Sequence, residues 1–142
     1  MKHEQERQPQ PAWQKSLNDF QRARDRAVEE PTSGNMIFAK VFLERLYTEL
    51  EKPGKFELGL IRATPGAVEE LVKSHQVTGE FLIRHKNGDW GELDDKEKAL
   101  NNQALEEGIR VISTYYTKSE QGLYVITEAT REVTTFLKKD EY

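Results

Sequence analysis

Apolar residues recur at helical spacing in two segments of the first third of the chain. Residues 13–30 carry apolar side chains three or four positions apart, and a proline follows them directly. Residues 36–50 repeat the pattern until a Pro-Gly pair interrupts it. We therefore predict a helical hairpin over residues 13–52. Residues 1–12, rich in Gln, Glu and Pro, are predicted to form a disordered tail because they cannot bury enough apolar area to offset ordering entropy.

Three further helix signals follow a short apolar lead-in, FELGLI, which is itself a candidate strand. Thr64 followed by Pro65 is a typical N-cap and first helical residue. The segment EFLIRH forms a second short helix that ends at an Asn-Gly pair. Asp94 or Asp95 can cap a third helix, and Gly108 stands where a left-handed residue commonly ends one.

The C-terminal part of the chain changes from helical spacing to alternation. IRVISTYY, LYVITE and EVTTFLKK are rich in β-branched and aromatic residues and are separated by short turns. Connections this short join antiparallel neighbours, because a parallel pair needs a long crossover. We therefore predict an α+β fold: N-terminal helices, then a three- to four-stranded antiparallel meander packed on helices, with residues 56–142 as the main domain.

Composition narrows the function classes. The chain has 142 residues, no cysteine and no apolar run that could serve as a signal or spanning helix, which predicts a cytoplasmic protein with no membrane contact. Its formal charge is −4, and the part from Phe56 onward carries −5, which disfavours a broad nucleic-acid surface. The three histidines show no metal-ligand spacing, and phosphate loops and dinucleotide fingerprints are absent, so we expect no metal and no cofactor.

Polar residues on the predicted strands could share one face of the sheet. Ser113 and Tyr115 point the same way, because side chains two positions apart lie on one face of a strand. If neighbouring strands pair, Thr127 and Thr134 join them. The pattern predicts a polar patch, although hydroxyl residues are also common in ordinary half-buried strands.

Two cationic side chains could complete that patch. His85 ends the EFLIRH helix, and Arg131 lies in the tight turn between the last two strands. Histidine can transfer protons near neutral pH, and arginine can bind phosphate or carboxylate. The structural alternatives are that His85 caps its helix and that Arg131 forms a turn ion pair with Glu128 or Glu132.

The GDWG segment after His85 is more typical of structure than of catalysis. Asp89 is expected to accept backbone N–H groups in a turn, and Trp90 to fill the core. Asn101, on the following helix, is expected to cap that helix or to bridge to the GDWG loop. All three remain candidate site-lining residues.

Four segments of the chain, RATPGAVEEL, FLIRHKNGDWGEL, IRVISTYY and YVITEATREVTTFLKKDEY, together resemble a family of small bacterial proteins found on plasmids and other mobile elements. The match begins near Arg62 and leaves out the N-terminal helices. The matched positions include all the candidates above: His85, Asp89, Trp90, Asn101, Ser113, Tyr115, Thr127, Glu128, Arg131 and Thr134. The resemblance implies an origin and a site, but no activity.

Two classes of function follow. The first is a non-catalytic accessory protein of a mobile element, which binds a protein partner and modulates restriction or another host defence. The second rests on a weaker likeness of topology to ribonucleases of the barnase, colicin and messenger-RNA-interferase group, which cleave RNA without metal. In that alternative His85 would be the base or the acid and Tyr115 the other partner. Arg131 would stabilise the anion, and RNA would be the partner. The acidic charge favours the first class.

Overall fold

The computed structural model of the protein describes residues 9–142, so the first eight residues of the predicted tail lie outside the described part. The described part contains five α-helices and four β-strands. The helices are α1 (Ala12–Glu29), α2 (Ser33–Glu51), α3 (Pro65–Lys73), α4 (Thr78–Lys86) and α5 (Asp95–Glu107). The strands are β1 (Leu60–Ala63), β2 (Val111–Tyr116), β3 (Gly122–Thr127) and β4 (Val133–Lys138), and a 3-10 turn, Lys139–Glu141, follows. The prediction of an α+β fold that begins with helices is confirmed.

The chain divides into two compact units, one that ends at Glu49 and one that runs from Leu50 to Tyr142. In the first unit, α1 and α2 are joined by a short turn after Glu29. Thr32 stabilises the start of α2, since its hydroxyl accepts a hydrogen bond from the Asn35 N–H at 3.1 Å. Leu17, Phe20 and Leu46 are the buried apolar residues of this unit.

The helices of the second unit begin and end where the sequence signals place them. The Thr64 hydroxyl accepts a hydrogen bond from the Ala67 N–H at 3.1 Å, and Pro65 opens α3. The Asp94 carboxylate accepts one from the Glu97 N–H at 2.7 Å at the start of α5. Gly108 ends α5 with φ of +68°, as a left-handed C-terminal residue should.

The four strands form one sheet in the order β1-β4-β3-β2. β2, β3 and β4 are antiparallel neighbours, which confirms the predicted meander. β1 pairs with β4 in parallel, so the sheet is mixed rather than fully antiparallel. The reason lies in the connection: three helices and two strands separate β1 from β4 along the chain, and so long a crossover allows the parallel direction that a short turn forbids.

One face of the sheet carries the main hydrophobic core. α3 contributes Ala67 and Leu71 to it, and α4 contributes Phe81 and Leu82. The strand residues of the same cluster are Tyr115, Leu123, Val125 and Phe136. Nearly every residue of α4 is buried, including His85, so this helix lies inside the unit rather than on its surface. This placement brings His85 to the polar residues of the sheet.

Candidate functional site

His85 lies at the centre of a chain of hydrogen-bonded side chains inside the second unit. Its ring Nδ1 is 2.5 Å from the Ser113 Oγ, and its Nε2 is 2.9 Å from the Thr127 Oγ1. Thr127 Oγ1 lies 2.7 Å from Thr134 Oγ1, and the Thr134 hydroxyl donates to the Leu58 carbonyl oxygen at 2.6 Å. All four side chains are fully buried. We call Ser113, His85, Thr127 and Thr134 the buried polar chain.

The proton positions along this chain follow from its last bond. Because Thr134 donates its proton to the Leu58 carbonyl, it must accept from Thr127, and Thr127 must then accept from the N–H at Nε2 of His85. The remaining ring nitrogen, Nδ1, accepts from the Ser113 hydroxyl. Each group donates once, so the neutral histidine with its proton on Nε2 satisfies the whole chain.

The surroundings of His85 hold it in this neutral form. Burial, together with the positive charge of Arg131, lowers the pKa of His85 from 6.5 to about 3. The rings of Phe56 and Trp90 pack against the imidazole with centroids 5.1 and 5.8 Å away. His85 is therefore a neutral hydrogen-bonding group near neutral pH.

Arg131 does not reach the buried polar chain directly. Its guanidinium lies over the Phe56 ring, 5.6 Å from the centroid, and that ring also contacts His85. It donates to the carbonyl oxygens of Glu128 at 3.1 Å and Ala104 at 3.5 Å. Arg131 therefore satisfies carbonyl groups of its turn and of the α5 C-terminus, and the Phe56 ring contacts both its guanidinium and the His85 ring.

Tyr115 lies beside Ser113 on the same sheet face and interacts with its side chain, and it has further partners outside the sheet. Its hydroxyl donates to the Asp89 carbonyl oxygen at 2.6 Å, and the Arg84 guanidinium lies over its ring at 4.5 Å. Burial raises the pKa of Tyr115 well above its usual range. Arg84 also binds the Asp89 carboxylate through two hydrogen bonds, at 2.8 and 3.3 Å. Burial alone would raise the pKa of Asp89, but these bonds, the Arg84 charge and the Gly91 N–H lower it.

Trp90 is buried, as its place in the GDWG segment predicts. Its ring stacks on Phe56 with centroids 6.1 Å apart and packs beside Ala104 and Val111. Its indole N–H donates to the Asn102 side-chain oxygen at 2.9 Å. The bridge to this loop that the sequence suggested for Asn101 is thus made by its neighbour.

Asn101 instead closes the outer edge of β2. Its amide donates to the Ile112 carbonyl at 2.6 Å and accepts from the Ile112 N–H at 3.2 Å, so it replaces a strand partner. The next outward-facing residue, Thr114, bonds to the Trp90 carbonyl and to the Glu92 N–H at 3.2 and 2.7 Å. An edge closed in this way cannot pair with another chain.

The predicted site residues therefore converge, but not in an open cleft. His85, Ser113, Thr127 and Thr134 meet on one face of the sheet with Trp90 against them. Tyr115, Asp89, Arg131 and Asn101 lie around this centre and hydrogen-bond to backbone groups of neighbouring segments, whereas Glu128 is exposed after β3. Within residues 9–142 no buried side-chain nitrogen or oxygen is without a partner. Sequence reasoning missed Phe56, which lies far along the chain from His85 and Trp90. It also missed Arg84 and Asn102, whose residue types gave no signal of their partners.

Gly91 allows the GDWG loop to approach β2 closely, and its replacement tests how tight that contact is. Gly91 has φ of +75°, and a Cβ there would overlap the Thr114 carbonyl oxygen and the Tyr115 ring. Gly91→Ala should therefore lower the free energy of unfolding by about 2–3 kcal/mol in urea titrations followed by circular dichroism.

Gly108→Ala is the matched control for that test. Gly108 has a similar φ of +68° but open space around its Cβ position, so it isolates the backbone strain, about 1 kcal/mol. Equal losses in the two variants would show that the contact of Gly91 with β2 is not tight.

An open groove lies elsewhere, between α5 and the opposite face of the sheet. Its volume is about 550 Å³. Leu100 and Ile109 are among its exposed apolar residues, and Glu97, Glu107 and Arg110 are its charged residues. The other lining residues are Leu93, Asn101, Gln103, Ala104, Ile112, Thr114, Tyr124 and Tyr142. We call this concavity the α5 groove.

The C-terminal residue forms one wall of the α5 groove. The Tyr142 ring packs against Tyr124 with centroids 5.3 Å apart, and its hydroxyl accepts a hydrogen bond from Arg110 at 3.0 Å. The groove therefore has aromatic and aliphatic walls, with more acidic than basic side chains lining it.

Among residues 9–142, no three His, Asp or Glu side chains lie close enough together to hold a metal ion. None of the helices in the described part combines the length and the hydropathy that crossing a membrane requires. No protein-family model matches this chain, and no match was found among curated proteins or solved structures.

Proposed function

We propose that this chain is a non-catalytic accessory protein that works by binding another protein, and that the α5 groove receives an apolar segment of that partner. The observation that carries the proposal is the contrast between two places in one unit. The side chains that could act in catalysis are buried and hydrogen-bond to one another, whereas the exposed α5 groove has apolar and aromatic walls.

The buried polar chain supports a structural role for His85. General acid-base catalysis requires hydrogen-bond reach to a substrate, directly or through one water. His85 and Tyr115 are both fully buried, and the ring nitrogens of His85 are occupied by Ser113 and Thr127. A histidine pKa of about 3 is also far from the value that proton transfer near neutral pH needs.

The α5 groove has the composition of a binding surface. Leu100 is 58% exposed and Ile109 is 49% exposed, and both line the groove. Apolar concave surfaces with a few polar groups at the rim are typical of ligand and peptide sites. The two negative charges of Glu97 and Glu107 outnumber the single positive charge of Arg110. The partner segment that fits the groove is therefore apolar and flanked by basic residues.

A photo-reactive amino acid placed at position 100 should capture the partner, and the purified partner then tests the groove. Leu100→Asp should raise the dissociation constant for the partner at least tenfold, because the substitution places a carboxylate in an apolar contact. Val72→Asp is the matched control, since Val72 is 71% exposed on α3 and is not a groove residue. Titration calorimetry measures both. Equal weakening in the two variants, or in neither, would refute the groove as the binding surface.

The ribonuclease alternative is tested with the same preparations. Purified protein incubated with total RNA in EDTA should leave the RNA intact. Cleavage that persists in Leu100→Asp and is lost in His85→Gln would overturn the non-catalytic proposal.

The biological setting rests on the resemblance described above. An origin on a mobile element, a role in restriction or another host defence, and a cytoplasmic location remain parts of this proposal. Identification of the captured partner tests all three.

A further inference from the structure

The N-terminal half of α2 is apolar on all sides. Residues 36–43 read MIFAKVFL, with Lys40 as the one charged side chain. Met36, Ile37 and Phe38 are each more than half exposed, and Val41 is 38% exposed. A helix that is apolar all round is normally covered all round. The described residues, 9–142, therefore leave part of this helix uncovered.

The exposed residues include a regular stripe. Gly34, Ile37, Val41 and Glu44 follow one another at three- and four-residue spacing, so they lie on one face of α2. A Cβ placed on Gly34 would have no neighbour within 4 Å, so the helix surface is low and open there. The stripe therefore has Gly34 at one end and the acidic Glu44 at the other, with the apolar Ile37 and Val41 between them.

We propose that the stripe pairs with the same stripe of a second copy of this chain, with the two α2 helices antiparallel. A two-fold axis near Ala39 places Ile37 opposite Val41 of the second copy. It also places Glu44 opposite Gly34 of the second copy. The interface is self-complementary, as a two-fold contact must be.

Charge complementarity supports the antiparallel direction. The first turn of α2 has no acidic side chain, although exposed N–H groups give a helix N-terminus a partial positive charge. In the antiparallel pair, Glu44 of each copy lies near that N-terminus of the other. A parallel pair would place Glu44 beside Glu44 and leave both N-termini without an acid.

The size of the contact predicts its strength. α2 has 19 residues and is therefore about 28 Å long. A groove of about 520 Å³ between α1 and α2, in which Phe38 and Phe42 stand beside Arg22 and Arg26, extends the apolar surface on one side of the stripe. Such an interface lies near the lower limit of specific contacts, about 1,200 Å² in total, so the dimer should dissociate at micromolar concentrations.

Sedimentation velocity over a range from low to several hundred micromolar tests the association. The mass should rise from 16.5 kDa toward twice that value. Ile37→Glu should raise the dissociation constant at least tenfold, because it buries a charge at the centre of the stripe. Val72→Glu, at an exposed apolar position of the second unit, should leave it within about twofold.

Cysteine cross-linking tests the direction, since the chain has no cysteine of its own. A mixture of Ile37→Cys and Val41→Cys should form mixed disulfide dimers faster than either variant forms dimers alone. Faster self-linking of each variant would show a parallel pair and overturn the antiparallel proposal.

Two other outcomes would also overturn it. One is a monomer at every concentration. The other is a protein that is monomeric in solution and co-sediments with vesicles of phosphatidylcholine and phosphatidylglycerol through the α2 stripe. That result would show that the stripe binds lipid. Leu100→Asp should leave self-association unchanged, so failure of the dimer and failure of the α5 groove are distinguishable.

Discussion

Replacing Trp90 with alanine should lower the free energy of unfolding by about 3–5 kcal/mol, one of the largest effects expected of a single substitution in this chain. The indole is 3% exposed and fills the space between Phe56, His85, Ala104 and Val111. Its removal leaves a cavity beside the buried polar chain, and the loop and sheet around it can collapse only in part. Urea unfolding followed by circular dichroism measures the loss without relying on tryptophan fluorescence.

Two graded variants separate packing from hydrogen bonding at this position. Trp90→Phe keeps most of the ring contact and loses the bond to Asn102, so it should cost less than half as much as Trp90→Ala. Asn102→Ala removes only the acceptor of the indole N–H and should cost about 1–3 kcal/mol. A loss below 1 kcal/mol in Trp90→Ala would mean that the GDWG loop repacks freely and does not support His85.

Much of the fold could be predicted because its signals are local. Thr64, Asp94 and Gly108 act within one turn of their own positions, and each does what its residue type favours. The alternation in the last three strands and the short turns between them determine an antiparallel meander in the same way. The direction of β1 could not be predicted, because its partner strand lies about seventy residues away and a short apolar run shows no direction.

The structure brings together four residues that the sequence singled out, His85, Ser113, Thr127 and Thr134, but their burial could not be predicted. The strand periodicity places Ser113, Thr127 and Thr134 on one face. Whether that face is open depends on what covers it, and the cover comes from Phe56 and from α4, elements that no local pattern connects to the strands. The partners of His85 are 28 and 42 residues away along the chain. The structure buries His85 completely, and burial is a property of the assembled core that the sequence alone does not show.

The buried polar chain also explains why hydroxyl residues occupy positions where valine would pack. Ser113 donates a hydrogen bond to Nδ1. Thr127 accepts one from Nε2 and donates to Thr134, which donates to the Leu58 carbonyl oxygen. Apolar substitutes would leave the imidazole unsatisfied, at a cost of about 1–3 kcal/mol. The buried polar chain joins α4, the three strands β2, β3 and β4, and the lead-in to β1. It therefore fixes the register of these segments as well as the contact between them.

Acid should destabilise the protein through His85 as the pH falls below 6.5. The folded pKa of His85, about 3, lies below its ordinary value of 6.5. Above pH 6.5 the imidazole is neutral in both states and contributes no pH dependence. Below pH 6.5 the unfolded chain binds a proton that the folded protein excludes, so stability falls by about 1.4 kcal/mol per pH unit.

Between pH 6.5 and pH 4.5 the loss should reach about 2–3 kcal/mol, measured as urea unfolding free energies at half-unit steps. Asp89 contributes outside this window, because its lowered pKa keeps its stabilising effect until the pH approaches 3.8. His85→Gln should flatten the slope whatever its effect on stability at neutral pH. His75→Asn, which removes an exposed imidazole at a left-handed position that asparagine tolerates, should keep the slope. A wild-type slope that survives in His85→Gln would show that another group, and not the neutral imidazole in the buried polar chain, makes the fold sensitive to acid.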